Sequence, residues 1–164
     1  MRFQTFSYRF AEEVLNSKLE TKKEIEEIIF GIKPNAYSRP QLNKVFEKEF
    51  TKRGWIFQPR VFEELPDIAA RIDFLKNRVG VEVAFSHSSF IGIDLLKFQV
   101  LSYSGLDRID VGVYIVATNK FKRRQERDYK QKWSGSLTFE KVCKYLPHFR
   151  SAIQVPVFVY GIEE

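Results

Sequence analysis

Apolar positions in the first third of the chain recur at the intervals expected of helices. One group of isoleucines, spaced three and four residues apart, would share a single buried helix face: Ile25, Ile28, Ile29 and Ile32. Thr21 and Glu24 have the spacing of a capping box, which predicts that this helix begins at Thr21. Ser38 and Gln41 repeat that spacing before a second apolar repeat, and Gly54 is a natural stop for it. The chain is therefore predicted to open with helices.

The period changes from helical to alternating in the middle of the chain. Aromatic and β-branched residues there alternate with polar ones in short runs bounded by Pro59 and Pro66. Arg71–Lys76 and Val79–Phe85 are then predicted to be the two strands of a hairpin, because only Asn77-Arg78 separates them and a tight turn needs no more.

The last part of the chain switches repeatedly between helix and strand patterns. Ser88 or Ser89 is predicted to cap a helix after the hairpin, and a strand is expected at Ile109–Ala117. A helix at Leu137–Phe149 and a closing strand at Val155–Ile162 complete the series. The order of these elements implies a mixed β-sheet flanked by α-helices, so the predicted fold class is α/β.

The length and composition suit a single domain, residues 1–164. Hydrophobic residues make up 44% of the chain and charged residues 29%, which is typical of a globular protein. The apolar runs are far shorter than the roughly 20 residues that span a bilayer, and the opening residues resemble no targeting segment. The one cysteine, Cys143, cannot form an internal disulfide. We therefore expect a soluble protein of the reducing cytoplasm.

Most of the net charge of +6 lies in one segment, Lys120 to Lys132. That segment has seven cations and two acids, a net charge of +5. It predicts contact with a polyanion, although a solvated loop or helix would have the same pattern. Five of its cations are the candidates for phosphate contact: Lys120, Lys122, Arg123, Arg124 and Arg127.

The candidate chemistry lies in the predicted hairpin, where Asp73 and Glu82 each stand between apolar, strand-forming residues. A carboxylate on such a strand needs a cation or several donors to offset its desolvation. In adjacent antiparallel strands, the two acids can face one side of the sheet and share a divalent ion such as Mg²⁺. Salt bridges to Arg71, Lys76 or Arg78, or a solvated hairpin face, explain the spacing equally well.

These acids stand in a run, Ile72–Phe85, that resembles the active-site hairpin of the BglII and BstYI family of type II restriction endonucleases, within the PD-(D/E)xK nuclease superfamily. Further motifs resemble the family in the same order along nearly the whole chain: Ala11–Asn16, Phe90, Asp94–Lys97, Ile109–Val113, Ser134–Ser136, Val155–Pro156 and Gly161–Ile162. Several motifs in one order are more specific than any single motif. The resemblance implies a restriction-endonuclease-like fold.

The resemblance also implies roles for residues in the hairpin. Asp73 and Glu82 would ligate Mg²⁺, and the backbone carbonyl of Val83 would add a third protein oxygen. The implied reaction is hydrolysis of duplex DNA to a 5′-phosphate and a 3′-hydroxyl. The implied enzyme is a homodimer on a short palindrome, centred on GATC in these relatives, with a cognate methyltransferase in the cell.

Ala84 departs from the family pattern. Two residues after the glutamate, the superfamily has lysine and these relatives have glutamine, whereas the methyl group of Ala84 can neither position a water nor contact phosphate. Three explanations are open. The alanine is an inactivating substitution, the chain is a naturally inactive binder, or an active enzyme recruits a polar group such as Lys97 from the following helix.

The loop after the second hairpin strand is expected to contact DNA. In the resembling enzymes it contributes to sequence reading, and His87 stands where they have lysine or asparagine. Ser134 resembles a base-contacting serine, and Phe90–Ser102 is a candidate for either the dimer interface or core packing. The loop residues expected to contribute are Ser86, His87, Ser88 and Ser89.

Two other functions compete with the restriction endonuclease. One is a repair or recombination nuclease that applies the same hairpin chemistry to structured DNA. The other is a DNA-binding protein without catalysis, which Ala84 favours.

Overall fold

The structure is a computed structural model, and it describes residues 1–63, 69–103 and 106–164. Pro66, one of the predicted strand boundaries, lies outside these residues. The helices and strands follow one another in this order: β1 (Arg2–Tyr8), α1 (Ala11–Asn16), α2 (Leu19–Gly31), α3 (Arg39–Lys52), β2 (Ile56–Phe57), β3 (Phe74–Lys76), β4 (Val79–Val83), α4 (Ile91–Tyr103), β5 (Val111–Ala117), α5 (Asn119–Arg127), α6 (Phe139–Tyr145) and β6 (Val157–Glu163). Two short 3-10 turns, Ser88–Phe90 and Leu146–Phe149, adjoin α4 and α6.

The strands form one six-stranded mixed sheet, in the order β1-β6-β5-β4-β3-β2. β4, β5 and β6 are parallel, and the remaining pairs are antiparallel. The predicted hairpin is present as β3 and β4. Its two turn residues, Asn77 and Arg78, both have positive φ angles, 49° and 62°, as a tight hairpin turn requires. The predicted mixed sheet flanked by helices is confirmed.

The central strand β4 separates two hydrophobic cores. Val79, Val81 and Val83 pack on the side of α1, α2 and α3, which we call the Val81 face. Ala84 packs on the opposite side with apolar residues of α4 and α6, and Glu82 meets α4 there. We call this side the Glu82 face. The alternation follows from the two-residue period of a strand.

Two glycines allow close packing on the Glu82 face, Gly112 against α4 and Gly80 against Ile72. Gly80 and Gly112 are register partners in the adjacent strands β4 and β5. A Cβ atom on Gly112 would lie 2.7 Å from Cγ of Phe98 in α4, and one on Gly80 would lie 2.6 Å from Cδ1 of Ile72. Neither position has room for a side chain without a shift of its neighbour.

The start of the chain differs from the prediction. The first element is not a helix but β1, which pairs antiparallel with β6 at the sheet edge. The next helices include the predicted apolar repeat, but α2 begins at Leu19 rather than Thr21. Thr21 does not cap the helix, because its hydroxyl is buried and accepts a hydrogen bond from Nδ2 of Asn77 at 3.0 Å.

Some predicted boundaries of helices and strands agree with the structure and others differ from it. The capping box of Ser38 and Gln41 is present at the start of α3. β3 begins at Phe74, because Arg71 makes only an isolated bridge to Arg60. The residue that caps the turn before α4 is His87, whose ring Nδ1 accepts the Ser89 backbone N–H.

The division into one domain, residues 1–164, stays a prediction. No helix in the described ranges has the length and apolar character needed to cross a bilayer.

Candidate active site

Asp73 and Glu82 lie in one pocket where β3 and β4 meet α4. Asp73 is the residue before β3, and its Oδ2 accepts the backbone N–H of Val83 at 2.8 Å. Glu82 lies inside β4 and is only 4% exposed. Val83 and Ala84 line the same pocket. The hairpin therefore brings the two predicted acids together, as their positions on adjacent strands suggested.

The cation beside Glu82 comes from helix α4. Nζ of Lys97 lies 2.5 Å from Oε1 of Glu82 and 3.1 Å from Oδ1 of Asp94. Because Asp94 and Lys97 are three residues apart on one helix, their side chains lie on the same side of it. Sequence reasoning named Lys97 as a candidate but did not assign Asp94 a role.

The hairpin cations named by the salt-bridge alternative are engaged elsewhere. Lys76 pairs with Glu24 at 2.9 Å, and the guanidinium of Arg78 binds Asp107 and Asp110. Arg71 donates through Nη1 to the carbonyl of Gln58. The acid pair is therefore not an ordinary surface salt bridge within the hairpin.

Tyr114 completes a chain of polar contacts across the Glu82 face. It lies in β5 directly opposite Glu82 in the strand register, and its hydroxyl donates to Oδ2 of Asp94 at 2.9 Å. The contacts therefore run from Tyr114 to Asp94, then to Lys97, and then to Glu82. Asp94 is 8% exposed and Tyr114 is fully buried. Tyr114 has the one polar side chain in β5, and that was the feature of the sequence that could have indicated its role in the site.

Burial and mutual repulsion disfavour charge on the two acids. Burial, and after it the charge of Asp73, raise the pKa of Glu82 well above its usual value. Burial also raises the pKa of Asp73, although its hydrogen bond from Val83 opposes the rise. Burial opposes the charge on Lys97, but Glu82 and Asp94 outweigh it and raise the lysine pKa. The pocket therefore favours a cation that can share these carboxylates.

The residues present fit a hard divalent cation. The described residues that line the pocket include three carboxylates, those of Asp73, Glu82 and Asp94, but only one ammonium, that of Lys97. Among the described residues no three His, Cys, Asp or Glu side chains form a complete metal cage. A small divalent ion that keeps several waters needs only one or two protein carboxylates together with substrate phosphates. Asp73 and Glu82 meet that requirement.

Ala84 lies on the Glu82 face beside the acids. It is 3% exposed, and its backbone N–H donates to the carbonyl of Ile115 at 2.9 Å. The backbone pairing with β5 therefore continues one residue beyond β4, and only the polar side chain of the family pattern is missing.

The predicted recognition loop is paired with the segment that contains Ser134. His87 forms an isolated β-bridge with Ser136, and the backbone N–H of Ser88 donates to the carbonyl of Gly135 at 2.9 Å. Nζ of Lys141 donates to Oγ of Ser88 at 2.8 Å. Ser86, Ser88 and Ser89 thus belong to one surface with exposed Ser134, as their predicted common role requires. Lys141 was missed, because a single lysine in a helix pattern carries no signal.

The basic segment lies in α5 as far as Arg127, with Thr118 as the N-cap of the helix, and continues beyond the helix to Lys132. Some of its cations already have acid partners: Arg124 contacts Glu164, Arg127 contacts Asp128, and Lys120 lies 3.8 Å from Glu163. Arg123 is exposed and, within the described part of the chain, has no acid at ion-pair distance; the same holds for Lys122, which is half-buried. The charge available for a polyanion is thus smaller than the sequence count suggested.

A family model described as restriction endonuclease BglII/BglIII matches residues 3–162. The chain belongs to this family. The match confirms the predicted resemblance and the enzyme class, because restriction endonucleases are site-specific deoxyribonucleases. Such enzymes generally use a divalent metal ion. A comparison with curated protein sequences gives no match.

Two solved structures of BglII support the fold of this family member. BglII complexed with a DNA 16-mer is similar with a TM-score of 0.82 and 21% identity, over 100% of this chain and 79% of that one. Free BglII is similar with a TM-score of 0.73 and 21% identity, over 100% of this chain and 80% of that one. The predicted restriction-endonuclease-like fold is confirmed.

Proposed function

We propose that the chain is a Mg²⁺-dependent type II restriction endonuclease that hydrolyses duplex DNA at a short palindromic site. One observation carries the proposal: Asp73 and Glu82 share a pocket that also contains the ammonium group of Lys97. Three carboxylates with one ammonium leave a charge deficit that one divalent ion would balance.

Asp73, Glu82 and the backbone carbonyl of Val83 would hold the ion. Bound there, Mg²⁺ supplies an activated water and stabilises charge on the phosphoryl group. The Val83 backbone N–H orients Asp73, and Lys97 keeps Glu82 in its buried position. The expected products carry a 5′-phosphate and a 3′-hydroxyl.

Duplex DNA is the proposed substrate, because BglII, to which this chain is similar, was solved in complex with a DNA 16-mer. Residues 86–89 follow β4 directly, so a scissile phosphate in the pocket would bring base edges close to this loop. Ser134 lies on the same surface. Ser86, His87, Ser88 and Ser89 are proposed to contact the base edges. Phosphate contacts come from α5, with Arg123 and Lys122 foremost and Lys120, Arg124 and Arg127 reinforcing them.

A homodimer is proposed because a palindrome presents two equivalent strands. Helix α4 and the turn before it have exposed apolar side chains at intervals of three and seven residues, which lie along one side of a helix: Phe90, Ile93, Leu96 and Tyr103. A second copy of this chain would cover them. The candidate interface is therefore the outer side of the same helix whose inner side contains Lys97.

The cellular setting follows from the proposed reaction. An enzyme that cuts a palindrome needs a cognate methyltransferase to protect the host genome, and both would work in the cytoplasm. The resemblance to BglII and BstYI favours a site centred on GATC. The outer base pairs remain open, because the loop differs from those relatives at Ser86, His87 and Ser88.

A randomised duplex library tests this function. We expect discrete Mg²⁺-dependent cleavage at one palindrome. Cuts that follow junctions or flaps instead of sequence would indicate a repair nuclease. Tight, selective binding without any cleavage would indicate an inactive binder, the alternative that Ala84 favours. Ala84→Gln, run beside the unaltered chain, distinguishes an inactivated enzyme from one that never cuts.

A further inference from the structure

The pocket receives its cation from a helix and not from the strand that carries the acid. Ala84 follows Glu82 by two residues, so both lie on the Glu82 face, but a methyl group offers no hydrogen bond. Lys97 reaches the same pocket from α4, and its side chain is 15% exposed. Among the described residues that line the pocket, it is the one cationic side chain.

The ammonium group of Lys97 has a donor to spare. It carries three N–H donors. Glu82 and Asp94 lie at ion-pair distance, 2.5 Å and 3.1 Å, and can engage two of them. The third is available to a phosphate oxygen that enters the pocket.

The contacts of Asp94 suggest more than charge balance. A lysine that only neutralised Glu82 would need no second carboxylate, and Asp94 adds a buried negative charge where two already lie close. Asp94 has one oxygen near Nζ of Lys97 and the other on the hydroxyl of Tyr114. That arrangement fixes the position of the ammonium group, as an active-site lysine requires.

We propose that Lys97 is a catalytic residue of this nuclease, and that Asp94 and Tyr114 are positioning residues that hold it. The inference rests on the proposed function. During hydrolysis, water forms a new bond to phosphorus and releases a proton to solvent. The bond from phosphorus to the 3′ oxygen breaks, and that oxygen takes a proton from solvent. Lys97 stays protonated and donates to a non-bridging oxygen, where negative charge grows.

The main test compares two lysine variants of the full chain. Lys97→Met should slow single-turnover cleavage of long, mixed-sequence DNA in Mg²⁺ by about 100-fold or more. DNA retention measured in Ca²⁺ should not change. Lys76→Met is the matched control, because Lys76 also pairs with a glutamate, Glu24, but lies outside the pocket. It should cut within about threefold of the unaltered protein.

A lysine returned to the strand should replace the one removed from the helix. Ala84→Lys in the Lys97→Met background should recover cleavage by about tenfold or more, because both side chains enter the same pocket. This double variant also decides the case if Lys97→Met alone melts at a lower temperature. A folded double variant that cuts supports the proposal, and a folded one that is inert overturns it.

The positioning role has its own readout. Tyr114→Phe should lower kcat by about tenfold and leave KM unchanged, since the hydroxyl acts on Lys97 and not on DNA. Tyr160→Phe is the control, because Tyr160 is a buried strand tyrosine whose hydroxyl donates to Glu26 instead. Equal loss of kcat in both variants would refute a specific role for Tyr114.

The outcomes separate this proposal from the proposed function. Cleavage by Lys97→Met within threefold of the unaltered protein overturns the role of Lys97 and leaves the nuclease intact. Cleavage by Ala84→Gln alone, with the unaltered chain inert, has the same meaning. If neither Ala84→Gln nor the unaltered chain cuts DNA while both bind it, the proposed nuclease function is wrong, and the proposed role of Lys97 is wrong with it.

Discussion

The two faces of β4 differ in what their residues do, although the residues are neighbours in sequence. On the Val81 face, every side chain of the strand is a valine in a fully apolar core. On the Glu82 face lie Gly80 and Glu82 of the same strand, and Ala84, which directly follows it. One strand therefore supplies stability on one side and chemistry on the other. Substitutions on the two faces should separate folding from cleavage.

The largest expected effect comes from Asp73→Asn, which removes one acid of the pocket with little change of shape. Cleavage in Mg²⁺ should fall on the order of 10³-fold or more, because the divalent ion loses a ligand. The thermal midpoint should change little, and calorimetry should detect weaker metal binding at the hairpin. Unchanged metal affinity would mean that the metal ion binds elsewhere in the protein.

Val81→Ala tests the opposite face, one residue from Glu82. Val81 is fully buried, so the loss of two methyl groups should reduce the free energy of unfolding by about 2 kcal/mol. Urea denaturation measures this loss. Cleavage per folded molecule should be unchanged, and a selective loss of cleavage would show that the two faces are not independent.

A smaller effect is expected on the DNA-facing surface. Arg123→Ala should weaken binding to all sequences alike and reduce the salt dependence of log K by about one unit, because an exposed guanidinium is lost. Arg127→Ala should do less, since Arg127 already contacts Asp128. Equal effects in a salt titration would mean that these intramolecular pairs open on DNA.

The smallest effect concerns pH. Burial, and after it the charge of Asp73, raise the pKa of Glu82, so protonation of this carboxyl stabilises the folded protein relative to the unfolded chain. The stability of the metal-free protein should therefore fall as pH rises above the usual carboxyl pKa of roughly 4. The raised pKa of Lys97 has no effect in this window, because lysine titrates far above it.

Thermal melts in chelator from pH 5 to 7 measure the slope. Glu82→Gln should flatten it, although its loss of the Lys97 pair lowers the overall midpoint. Parallel curves for the two proteins would contradict the assignment to Glu82.

The fold was predictable where one side of an element is buried, and less so elsewhere. The isoleucines of α2 and the capping box of α3 have clear periods, and both helices are present. β1 was missed because its apolar residues pack on both sides of the sheet. Phe3 contacts Phe30 and Tyr160 on the Val81 face, whereas Tyr8 belongs to the core of the Glu82 face. The apolar residues of β1 therefore show no two-residue period. The partner strand of β1 lies at the far end of the chain.

The candidate site was predictable as far as the hairpin reached. Asp73 and Glu82 could be paired from sequence because a tight turn joins their strands. Asp94 and Tyr114 could not, because their roles depend on how α4 crosses the sheet. The spacing of Asp94 and Lys97 is a visible clue, but on an exposed helix it would indicate only a surface ion pair.

Gly112 links the packing of α4 to the position of Lys97. Phe98 lies one residue from Lys97 in α4, and its ring rests where Gly112 lacks a side chain. An added methyl group at Gly112 would meet the Phe98 ring, so either the ring or the helix must shift, and a shift of the helix would move Lys97 relative to Glu82. The distance from Lys97 to Glu82 therefore depends on the missing side chain of Gly112. Substitutions at Gly112 could lower the cleavage rate without changing a residue that is proposed to bind metal or DNA.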